Sequence, residues 1–127
     1  MATDGQKFVT SVIAAEDLSA VGQYRAFAFN DRKLANSSLE ANGIIENKPA
    51  SGEHVRVAYA GELKFIAGGA VAAGTRVKAT TSGYFVECAS GDHAVGFCGP
   101  DAVTSGSVGR GFFNFTTVNY QPTSNNV

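Results

Sequence analysis

At 127 residues and 13.1 kDa, with 44% hydrophobic and 17% charged residues, the chain has the makings of one domain with a single core, and too few charges for a disordered segment. A net charge of −1 and a pI of about 6.1 offer no basic stripe to neutralise phosphates, so nucleic acid is not expected as a partner. The apolar runs fall far short of the roughly 20 residues a membrane-spanning helix needs, and "MATDGQKFVTSV" lacks the pattern of a signal peptide; no membrane is expected, and synthesis is placed in the cytoplasm.

Thirteen Val and nine Phe stand against four Leu, a bias toward residues that suit a pleated surface. Fifteen Gly imply many turns and few long helices. The expected class is all-β: a compact single-domain β-barrel or sandwich of short strands, with extended N- and C-terminal arms.

In chain order, residues 1–18 mix polar residues with Phe8, Val9, Val12 and Ile13, and read as an N-terminal arm or edge strand. The β domain then spans 19–118. "QYRAFAFN" puts Phe27 and Phe29 on one face of a strand; "DRKLANSSLEAN" is a polar loop, and "GIIE" a short buried strand. "EHVRVAYA" directs Val55, Val57 and Tyr59 one way and His54 and Arg56 the other, and "ELKFIA" does the same with Leu63 and Phe65 inside. "TRVKAT", "YFVE", "HAVGFC" and "VGRGFFNF" bring the total to eight or nine short strands. The expected core is Phe27, Phe29, Val55, Val57, Leu63, Phe65, Val77, Phe113 and Phe115. The tail, 119–127, is polar and expected to be mobile until something holds it.

A weak internal repeat has an offset of 22 residues: Gly52 falls on Gly74, Val55 on Val77, Gly61 on Gly83, Ala67 on Ala89 and Gly69 on Gly91, and "TSG" at 104–106 opens a third copy. Each unit reads as a glycine turn feeding a strand, a glycine hairpin and a strand back, with the glycines supplying positive φ angles.

Catalytic chemistry finds no foothold. Cys88 and Cys98 are the only cysteines. With a turn near Ser90–Asp92, residue 88 would oppose about 93–95 rather than 98, so two unbridged thiols are expected. Zinc would have to recruit His54 and His93 without any ligand spacing to support it. Those histidines sit beside Glu53 and Asp92 as ordinary strand-start residues, with no nucleophile elbow and no metalloprotease helix. "GSVGRG" lacks the lysine and helix of a phosphate loop. Glu46, Glu53 and Glu62 give no reason to pair as acid and base, and Arg110 reads as a solvated edge residue. The chain is expected not to be an enzyme and to carry no cofactor and no metal. In "GRGFFNFTTV", Phe113 and Phe115 share the core face and Phe112 the other, where an exposed ring can anchor an interface or stack on a sugar.

Residues 41–113 run from a Gly-hydrophobic-hydrophobic segment into Asn-Lys-Pro (Gly43 to Pro49), then a small-small-Gly strand (Ala50 to Val57). A Gly-led strand follows at Gly61, an Ala-Gly pair at Ala73–Gly74 and a Val-Gly strand at Val95–Gly96. This succession resembles the small capsid decoration, or cement, proteins of tailed bacteriophages and prophages. The resemblance implies a structural virion protein on the outer surface of an icosahedral capsid, holding major capsid subunits together. Its partners would be the major capsid protein and neighbouring copies of itself, a trimer among the arrangements. Candidate contacts are Phe8, Val9, Val12, Ile13, Phe112, Val118 and Tyr120. The alternatives are a carbohydrate- or receptor-binding β module displayed on a virion, and a small ligand-binding β-barrel.

Overall fold

The computed structural model describes residues 7–116. Nine strands appear among them: β1 (Lys7–Ile13), β2 (Ala26–Ala28), β3 (Lys33–Leu34), β4 (Gly43–Ile45), β5 (His54–Ile66), β6 (Arg76–Ala79), β7 (Phe85–Glu87), β8 (Gly96–Cys98) and β9 (Val108–Asn114). A 3-10 turn at Thr81–Gly83 joins β6 to β7. The fold is all-β, a curled antiparallel half-barrel.

The main path of the sheet runs β3-β2-β4-β5-β9-β8-β6-β7, with β1 on β5 off that path. The long strand β5 organises it. Along one edge β5 carries β4 at Ala58 and Val57, then β9 from Ala60 to Ile66; its other edge carries β1 from His54 to Gly61. The curl brings β7 back to the chain just beyond β5, where Ala67 bridges to Phe85 and the Gly68 N–H donates to the Phe85 carbonyl at 2.7 Å.

Two apolar clusters form the core. Inside the curl, Phe65, Phe85 and Phe113 meet edge to face, with ring centroids 5.4–5.7 Å apart, and Leu63, Val77, Val71 and Val103 pack around them. The smaller cluster holds Ala14, Leu18, Phe27, Ile45, Val55 and Val57. Ser38, the buried polar side chain among the described residues, is satisfied by accepting the Ala79 N–H at 2.9 Å.

Seven of the nine expected core residues are buried. Phe29 is not: β2 ends at Ala28, and the chain turns outward, leaving Phe29 39% exposed with its ring edge-on to Phe27. Phe115 is half-buried and stacks on Phe113 at 5.8 Å.

The strands read as "EHVRVAYA" and "ELKFIA" are one strand. Gly61 has the positive φ expected of it (116°), yet it makes no hairpin. It lies beside a bulge, where the pairing with β1 shifts register between Phe8 and Val9. Its counterpart Gly83 (φ 77°) does close a hairpin, between β6 and β7. Gly52, Gly74 and Gly106 share positive φ, so the repeat survives in backbone conformation while its copies differ in topology.

Residues 7–18, read as an arm or edge strand, are an edge strand and its continuation. β1 lies along β5, and Ala14 and Leu18 are core. The tail at 119–127 lies outside the described residues.

Candidate functional site

The inner face of the sheet is filled, so binding chemistry has to be sought outside. Direct cross-strand partners point to the same face of a sheet. The pairings Arg76 with Phe97, Phe97 with Phe112, and Phe112 with Glu62 therefore define one row across β6, β8, β9 and β5. The row faces outward: Phe97 and Phe112 are 41% and 42% exposed, with ring centroids 5.5 Å apart. Beside them lies a shallow open groove, lined by Gly74, Gly99, Pro100 and Cys98.

Phe112 was legible from the sequence; Phe97 was not. Strict alternation puts Phe97 on the side of Val95, which is buried, but the chain becomes regular strand only at Gly96. The signal that would have found it is the partner Phe112, which requires knowing that β8 lies beside β9.

The other candidate contacts are scattered. Phe8 is 63% exposed and stacks on Tyr59 at 6.1 Å. Val9 packs against the main core, Val12 against the smaller cluster, and Ile13 is half-buried. Val118 and Tyr120 lie outside the described residues.

Below the aromatic row is a charged surface. Glu46 receives Lys7 at 2.7 Å and Arg56 at 3.0 Å, and Glu62 receives Arg110 at 3.3 Å. These pairs are partly exposed and contribute little each to stability. Glu53 accepts the Ala50 N–H, so the three glutamates serve separate local contacts. Ser11 Oγ and His54 Nδ1 lie 3.1 Å apart on the exposed β1–β5 face.

The cysteines correct the expected hairpin. β7 and β8 do not pair; both flank β6, with Val77 between Glu87 and Gly96. The Cys88 and Cys98 N–H groups bond the carbonyls of Arg76 and Thr75 from opposite sides. Two strand spacings of roughly 4.8 Å separate them, beyond disulfide reach. Burial pushes both thiols up from their ordinary value, with Asp92 adding to the effect at Cys88, so both are held in the unreactive protonated form near neutral pH. Among the described residues no group of three or more His, Cys, Asp or Glu could hold a metal ion.

No protein-family model matches the chain, and no curated protein matches it. Among solved structures, it is similar to the head fiber gp8.5 N base of bacteriophage phi29, with a TM-score of 0.66 and 14% identity, over 91% of this chain and 100% of that one. At that identity the similarity is one of fold.

Proposed function

We propose that the chain is a structural virion protein: a decoration, or cement, protein that binds the outer surface of a tailed-phage capsid and stabilises contacts between major capsid subunits. The observation that carries this reading is the fold shared with a phage head-fiber base across 91% of the chain. The decoration-protein pattern at residues 41–113 supports it from the sequence side.

The physical requirements are modest. A protein that binds the mature lattice better than its precursor stabilises the mature form by the difference in binding free energy. Exposed apolar groups on a rigid β domain suit that task, and Phe8, Phe97 and Phe112 are such groups. The partners on this reading are the major capsid protein and neighbouring copies of the chain, with no enzymatic step and no cofactor.

The exposed Phe97–Phe112 pair also favours a second reading, a carbohydrate- or receptor-binding module on the virion, because neighbouring rings can stack on sugars. Co-sedimentation with undecorated heads tests the first reading, and binding to immobilised glycans tests the second. Saturable binding to heads without glycan binding is the expected result; glycan binding with no affinity for heads would reverse the assignment.

A further inference from the structure

The aromatic row has opposite charges at its ends: Arg76, Phe97, Phe112, Glu62, in that order across four adjacent strands. At roughly 4.8 Å per strand the row spans about 14 Å. Turn a second copy by 180° about an axis parallel to the strands and lay it face to face on the first. Arg76 of each copy then meets Glu62 of the other, and Phe97 of each meets Phe112 of the other. The row is complementary to itself, as an isologous twofold interface requires.

We propose that this outer face is a docking surface for a second copy of the chain, forming a twofold dimer. The neighbouring row fits the same rotation. The Gly99 N–H donates to the Arg110 carbonyl at 2.9 Å, so Gly99 lies beside Arg110 on the adjacent strand. The rotation carries the largely exposed Arg110 side chain of one copy over the groove lined by Gly74, Gly99 and Pro100 in the other. Glu62, which holds its own Arg110 at 3.3 Å, then sits between that guanidinium and Arg76 of the second copy. Two phenylalanines per copy leave water together, and each charged end of the row finds its opposite.

The patch is small, so association in free solution is weak and concentration-dependent. Copies held on a common surface would meet at a much higher effective concentration. The inference does not depend on capsid binding, and self-association in solution tests it separately.

The experiment is sedimentation equilibrium of the full chain from micromolar to millimolar concentration, with Arg76→Glu, Glu62→Arg and the double variant. Circular dichroism and melting confirm that each variant is folded. The expected result is a monomer–dimer equilibrium that each single reversal weakens at least tenfold and the double reversal restores. A chain monomeric throughout, an association that stops at trimers, or a dimer indifferent to the single reversals would each overturn the proposal.

Discussion

Phe112 and Phe113 are adjacent in sequence and lie on opposite faces of β9: Phe113 is 4% exposed inside the curl, and Phe112 is 42% exposed outside it. Phe113 closes the triad with Phe65 and Phe85, whereas Phe112 meets Phe97. Phe113→Ala should therefore cost about 3–5 kcal/mol of stability, the range for emptying a packed aromatic site. Phe112→Ser should cost less than about 1 kcal/mol. Urea unfolding of the two variants measures the contrast, and equal losses would contradict the assigned faces.

Val57 is fully buried in the smaller cluster. Val57→Asp places an unpaired charge there, and should remove about 4 kcal/mol or more and leave the chain largely unfolded. A soluble variant with a normal melting transition would refute the placement of this strand face.

Alternation carried most of the strands and seven core residues, because β5 and β9 follow period two along their inner faces. It failed where the chain departs from a regular strand. Phe29 falls in a turn, Gly61 sits beside a bulge, and Phe97 follows the irregular start of β8. Of the strand order, the β6–β7 hairpin at Gly83 was legible, but sequence proximity also suggested that β7 pairs with β8, whereas β6 lies between them. The outer row depends on that order, so alternation could place Phe112 and Glu62 on outward faces but could not bring them together with Phe97 and Arg76.

The N-terminal segment has become a stability question. β1 pairs with β5 through residues from Lys7 to Ile13, and Val9 and Val12 pack on the core. Deleting residues 1–12 should lower the melting temperature by on the order of 10 °C, by stripping one edge of β5. On the proposed capsid role, deleting 119–127 should reduce binding to undecorated heads. Differential scanning calorimetry reads the first effect and co-sedimentation the second.

Asp92 accepts Lys78 at 2.8 Å and the Ala89 N–H at 2.8 Å, and these bonds hold its carboxyl below the ordinary value of 3.8. A depressed folded value means that the native state binds the proton less readily than the unfolded chain. The resulting stabilisation is fully present well above pH 3.8 and is lost as pH falls from there through the lower folded value. Asp92→Asn should therefore lose stability at neutral pH and show a shallower decline between pH 5 and pH 2 than the parent. Thermal melts across that range test it; parallel curves would show that the carboxylate contributes nothing to the acid limb.

The proposed capsid role is tested most directly by a difference map between capsids prepared with this protein and capsids prepared without it. Extra density is expected outside the shell, repeating with the lattice, of a size to hold a 13.1 kDa domain and touching more than one major capsid subunit. Particles identical on their outer surface with and without the protein would contradict it.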